Sequence, residues 1–233
     1  MMKLKNKKGI IIACDLLTIE ALKLLIKETY NVKEVVGYKI GFALCLKYGL
    51  QKITQLIKSI TDLPIIYDHQ KAGTDIPAIG QLFAKICADS NLDAVILFPQ
   101  AGPETEKAFI TALFDFGIEP IVGGEMTHNA YLEKDGGFLI NDAPKKIYKI
   151  ASQLNVKNFV IPGNKYESIK YHVENISKEI KNPKFFMPGI GTQGGNLLKA
   201  FDAVGNYNAY AIVGSVIYQS EDPAGAIKKI LEI

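Results

Sequence analysis

The chain has 233 residues, 48% hydrophobic and 22% charged, with a net charge of +3. That profile describes a globular protein able to bury a substantial core. No run of about 18 apolar residues offers a membrane span, and a mild charge spread along the chain points away from nucleic acid.

All 27 basic residues are lysine. Any bound anion is therefore held by lysine, backbone N–H groups or neutral donors, without the bidentate fork of a guanidinium. Three cysteines, Cys14, Cys45 and Cys87, sit far apart among apolar neighbours, as buried reduced thiols do. The opening MMKLKNKKGIIIACDLL imitates a secretion leader, but its apolar part, Gly9 to Cys14, is short and Asp15 interrupts it. It reads as a first strand, and a cytoplasmic protein is expected.

Short β-rich apolar runs alternate with segments of helical period along the whole chain. The run Gly9–Leu16 precedes a helix over Ile19–Thr29, and Val35–Phe42 precedes one over Leu50–Ile60. Leu63–Tyr67 leads to Ala78–Ser90, Ala94–Phe98 to Thr105–Phe116, and Glu119–Gly123 to Ala143–Leu154. Asn158–Ile161 leads to Tyr166–Ile180, Lys184–Pro188 to Asn196–Ala203, and Ala209–Val213 to Pro223–Leu231. Eight such repeats predict a parallel sheet closed as one (β/α)8 TIM barrel over residues 1–233. No linker or low-complexity tract divides it.

Functional residues of such barrels stand at the C-terminal ends of the strands. There the chain places Asp15, Lys39, Asp68 with Lys71 and Asp75, the tetrapeptide EMTH (Glu125 to His128), Asn164-Lys165, PGIGTQGG (Pro188 to Gly195) and Gly214-Ser215. Lys39, inside the buried run YKIGF, needs a carboxylate partner, since an unpaired buried ammonium is costly. Asp68 on the adjacent strand is the obvious one. The segment YDHQKAGTDIP would continue an alternating lysine–aspartate array. The loops after strands 7 and 8, PGIGTQGG and VGSVIY, suit a phosphate gripped by backbone N–H groups at the position such barrels commonly use. His69, His128 and His172 show no metal-ligand spacing, and no activated serine or cysteine nucleophile is evident.

On these residues the sequence resembles the orotidine 5'-monophosphate decarboxylase family, in its compact archaeal-type form. The likeness rests on ACD (Asp15), YKIG (Lys39), the Asp68…Lys71…Asp75-Ile76-Pro77 segment, EMTH (Thr127), PGIGTQGG (Gln193) and VG–IYQSEDPAGA. It implies decarboxylation of orotidine 5'-monophosphate to uridine 5'-monophosphate with no cofactor and no metal. Asp68 would face the substrate carboxylate and Lys71 would protonate C6. Lys39 would hold Asp68 and, with Asp15, reach ribose hydroxyls. Asp75, with Ile76 beside it, would enter the neighbouring site of a homodimer. Thr127 would contact the pyrimidine edge and Gln193 would bridge base and phosphate, with Gly191, Gly214 and Ser215 in the phosphate loops. Related barrel aldolases place a metal-binding glutamate where Lys39 stands, which disfavours them. An enzyme acting on another sugar phosphate, or a non-catalytic nucleotide-binding homologue, are the alternatives.

Three departures accompany the likeness. The family's Asp-x-Lys-x-x-Asp is stretched here by one residue in each gap. Side chains three apart on a strand face opposite ways, so Lys71 can join Asp68 only if His69-Gln70 forms a bulge or the strand has already ended. The retained Lys71, Asp75, Ile76 and Pro77 favour the bulge. Ser215 stands where the family carries an arginine, with Lys165 as the nearest replacement cation. Ile79 stands where a threonine is usual.

Overall fold

A computed structural model describes residues 2–69 and 72–232. Eight parallel strands close a barrel in sequential order: β1 (Lys8–Cys14), β2 (Val35–Gly41), β3 (Ile65–Asp68), β4 (Ala94–Leu97), β5 (Glu119–Gly123), β6 (Asn158–Val160), β7 (Lys184–Met187) and β8 (Asn208–Val213). Around it lie α1 (Ile19–Thr29), α2 (Phe42–Tyr48), α3 (Leu50–Lys58), α4 (Ile79–Asp89), α5 (Pro103–Asp115), α6 (Ala143–Gln153), α7 (Tyr166–Glu179), α8 (Leu197–Val204), α9 (Ser215–Tyr218) and α10 (Pro223–Glu232). The strands and the eight long helical segments fall where the alternation of apolar runs puts them. Two short helices at the rim, α2 and α9, were not anticipated. No helix among the described residues is long and apolar enough to cross a membrane.

Period-two alternation sends one set of side chains into the barrel and the other against the helices. Ile11, Ala13, Ile66, Ile96, Phe186 and Ile212 fill the interior, closed from the N-terminal end by Met2 and Leu4. Ile10, Ile12, Tyr38, Ile40, Val95 and Phe185 join the larger core beneath the helices. All three cysteines are buried and unpaired.

One irregularity aims the site. Val36 faces the barrel interior, so strict alternation would send Tyr38 and Ile40 inward and Lys39 outward. The β1–β2 register shifts between Ile10↔Val35 and Ile11↔Gly37, a bulge that reverses the phase. Beyond it Tyr38 and Ile40 pack outward, where the Tyr38 hydroxyl meets Thr29 Oγ1 at 2.8 Å. Lys39 turns inward, level with Ala13 on β1 and Ile66 on β3.

β3 stops at Asp68, and the Ala72 N–H donates to the His69 carbonyl at 2.8 Å. The bulge favoured at His69-Gln70 extends beyond the described residues, while β3 itself is described as ending at Asp68. Gln70 and Lys71 lie outside the described residues. His69 turns away toward α4, its Nδ1 2.7 Å from the Tyr67 hydroxyl and its ring beside Phe83.

A buried carboxyl on α5 makes stability depend on pH. Glu106 is 1% exposed and its Oε1 has no hydrogen-bond partner among the described residues. Burial, opposed by weaker pulls from the Ala151 backbone and Lys107, pushes its pKa from 4.5 to about 8. The folded state thus prefers the protonated acid, so stability declines as pH rises from 4.5 toward 8 and is level above that. Glu106→Gln should raise the melting temperature by several degrees at pH 9 and leave it nearly unchanged at pH 4.5. Thermal denaturation of both proteins at the two pH values checks this, and an equal shift at each would contradict it.

Candidate active site

A cavity of roughly 330 Å³ opens at the C-terminal rim. Its floor is apolar, from Ala13, Ile96, Phe98, Val160 and Ile212, and its polar wall comes from strand ends. Asp15 follows β1, Lys39 and Asp68 are carried by β2 and β3, Thr127 follows β5, Gln193 lies after β7, and Gly214 and Ser215 follow β8.

Lys39 is the charged centre. Its Nζ lies 2.9 Å from Asp68 Oδ2 and 3.7 Å from Asp15 Oδ1. Lys39 and Asp68 are buried, whereas the Asp15 side chain is half exposed. Burial works against the ammonium, but the two carboxylates and the hydrogen bond to Asp68 outweigh it, holding the Lys39 pKa above its ordinary value. Gly41 leaves room for this arrangement, since a Cβ there would come within 2.8 Å of Asp15 Oδ1. The expected Lys39–Asp68 pairing is thus present, with Asp15 as a second, looser partner.

The opposite wall is neutral. Among the described lining residues Lys39 is the only lysine, and the β7–β8 side presents Gly189, Ile190, Thr192, Gln193, Gly214, Ser215 and Tyr218. Gly189 and Gly191 have positive φ, and the Gly191 N–H donates to the Gly195 carbonyl at 2.9 Å, so the loop turns tightly there. The hydroxyls of Thr192 and Ser215 lie 3.2 Å apart and tie the two loops together. Thr192 and Tyr218 stand within the rim segments PGIGTQGG and VGSVIY read from sequence, but neither was given a role of its own there. Gly191 shapes the loop without lining the cavity.

Lys165 does not supply the missing cation at this wall. Its Nζ donates to Glu125 Oε1 and to the Met126 carbonyl, both at 3.0 Å, and it faces a separate outer cavity beside Asn129 and Lys134. Glu125 is almost wholly buried and demands such partners: Lys165 on one oxygen and His172 Nε2, at 2.7 Å, on the other. Burial raises its pKa, but the bonds and charges of His172 and Lys165 prevail and hold it below the ordinary carboxylate value. Asn164 Nδ2 donates to the Thr127 carbonyl at 3.2 Å and the Gln193 carbonyl at 3.3 Å, joining the loops after β5 and β7.

Asp75 and Ile76 lie outside this cavity in the single chain. Asp75 Oδ1 accepts the Ile76 N–H at 2.8 Å, and its carbonyl accepts from Thr105 Oγ1 on α5. Ile76 is exposed, as are Phe42 and Leu46 on α2 and Leu82 and Ile86 on α4. Lys71 lies outside the described residues. Among those described, no three His, Cys, Asp or Glu side chains gather as a metal site.

Comparisons with known proteins agree with this geometry. Residues 8–230 match the family described as orotidine 5'-phosphate decarboxylase / HUMPS. The orotidine 5'-phosphate decarboxylase of Pyrococcus furiosus is 36% identical over 203 residues, 87% of each chain. That of Methanococcus maripaludis is 29% identical over 94% of each. Among solved structures, the orotidine 5'-monophosphate decarboxylase of Methanocaldococcus jannaschii, complexed with inhibitor BMP, superposes with a TM-score of 0.83 at 28% identity, covering 97% of both chains. The Pyrococcus horikoshii OT3 enzyme gives 0.77 at 29%, covering 96% of this chain and 97% of that one. A family match over residues 8–230, with relatives matched across most of the chain, places the chain in the orotidine 5'-phosphate decarboxylase / HUMPS family.

Proposed function

We propose that the protein decarboxylates orotidine 5'-monophosphate to uridine 5'-monophosphate, a step of pyrimidine biosynthesis, without metal or cofactor. The observation that carries this reading is the buried Lys39–Asp68 pair, 2.9 Å apart and facing the cavity. In the proposed reaction the bond from C6 to the carboxylate breaks heterolytically, its electron pair stays on C6, and CO2 departs. Asp68 sets a negative charge against the substrate carboxylate, an interaction relieved as CO2 leaves. Lys71 delivers a proton to C6. The developing carbanion is stabilised by fixed charges that need no reorganisation. Lys39, held between two carboxylates, puts a positive charge where the related aldolases put a metal ligand, which favours the metal-free route.

Lys39 holds Asp68 in place and, with Asp15, contacts ribose hydroxyls. Thr127 reads the pyrimidine edge, and Gln193 spans base and phosphate. The phosphate sits at the neutral wall, between the Gly191 turn and Gly214-Ser215. Binding energy gathered there is applied to the transition state at the far end of the substrate. Ser215→Ala should lower kcat/KM about five- to ten-fold, with part of the loss in kcat, as removal of one neutral hydrogen bond to the phosphate does. Steady-state kinetics check it, and an unaltered kcat/KM would remove Ser215 from the phosphate site.

The working unit in this reading is a homodimer. The exposed apolar side chains of α2, Ile76 and α4 offer the contact surface, and Asp75, outside its own cavity, completes the partner's site. Product analysis tests the reaction: orotidine 5'-monophosphate should yield uridine 5'-monophosphate and CO2 in equal amounts. Tight binding of uridine 5'-monophosphate without turnover would identify a non-catalytic homologue instead.

A further inference from the structure

We infer that His172 is a positioning residue: through Glu125 and Lys165 it fixes the segment that carries Thr127 at the cavity wall. This rests on the function proposed above. His172 lies on α7, buried, and takes no part in the reaction as written. Its Nε2 is 2.7 Å from Glu125 Oε2, while Glu125 Oε1 lies 3.0 Å from Lys165 Nζ. The same ammonium donates to the Met126 carbonyl, and adjacent Asn164 donates to the Thr127 and Gln193 carbonyls. On the other side the Gly124 N–H donates to the Tyr148 hydroxyl at 3.0 Å, and that hydroxyl donates to the Val160 carbonyl at 2.7 Å. The Tyr148 and Tyr171 rings meet His172 edge-on, with centroids 5.1 and 5.4 Å away.

The backbone from Gly124 to Thr127 is therefore held residue by residue, and the buried Glu125 carboxylate is the hub. Without His172 one of its oxygens would be buried with no partner, and a buried charge in that state reorients or draws in water. Either response moves Lys165, and with it the Met126 carbonyl and Thr127. Displacements of about an ångström in a substrate-positioning group are enough to slow a reaction on the order of a hundred-fold.

The test measures kcat and KM for orotidine 5'-monophosphate in His172→Phe and His172→Gln, each with Thr127 intact and as Thr127→Ala. Amide hydrogen exchange over residues 124–128 is followed in parallel. His172→Phe should lower kcat/KM on the order of ten-fold and speed exchange in that segment selectively. His172→Gln, whose amide can still donate to Glu125, should recover most of the loss. In the Thr127→Ala background the His172→Phe effect should shrink to within about two-fold. An equal loss in both backgrounds, or unchanged exchange at 124–128, would overturn the inference. Should His172→Phe fail to fold, Lys165→Met, altered at a partly exposed side chain, is judged by the same two measures. If the wild-type protein does not turn over this substrate, the function fails on its own, while hydrogen exchange still decides whether His172 holds the segment.

Discussion

Lys71→Ala is expected to lower kcat on the order of 10^3-fold or more while leaving the affinity for uridine 5'-monophosphate within a few-fold of wild type. The lysine is assigned the single proton transfer of the reaction, so its loss falls on the transition state and spares product binding. Steady-state rates beside calorimetric titration of the product separate the two effects. The same variant tests the dimer. Mixed subunits of Lys71→Ala and Asp75→Asn, each inactive alone, should regain about a quarter of wild-type activity. Half the dimers formed at random are mixed, and one of the two sites in each is then intact. Activity absent from every mixture would place Asp75 in its own subunit's site.

Lys39→Ala should be costly in a different way. It leaves Asp68 buried without its ammonium, and breaking such a pair from one side costs about 3–5 kcal/mol. The denaturation midpoint should fall accordingly, and turnover should drop with it because Asp68 loses its fixed orientation. Lys39→Ala combined with Asp68→Ala should regain part of the stability and none of the activity. Since the folded Lys39 pKa lies above the ordinary lysine value, the stabilising pairing is intact below pH 10.5 and is lost only as pH rises through that higher value. A Lys39→Ala protein as stable as wild type would contradict the pairing.

Much of this was legible in the sequence because barrel strands and their helices have distinct periods. The runs IIIAC, VVGYKIG and AVIL declare themselves, and the rim residues Asp15, Lys39, Asp68, Thr127, Gln193 and Ser215 follow from where those runs stop. The rest depends on geometry that spacing does not carry. Helix α2 follows β2 directly, with only Gly41 between Ile40 and Phe42, and FALCLKY is as apolar as the strand before it. The bulge at Val36 is invisible in a run of buried residues, yet it turns Lys39 inward. Lys165 looked like a candidate phosphate cation because it stands at a strand end. Its commitment to Glu125 appears only when His172, 47 residues beyond that glutamate, folds back against it. The accommodation of the stretched motif turned on whether β3 bulges or stops. β3 is described as far as Asp68, and the expected bulge at His69-Gln70 extends beyond the described residues.

The most direct test is the decarboxylation of orotidine 5'-monophosphate by the wild-type protein after exhaustive treatment with a chelator, followed by loss of orotidine absorbance. Undiminished, saturable turnover is the predicted result. No turnover, or turnover that returns only when Mg2+ is added, would contradict the metal-free lysine–aspartate mechanism.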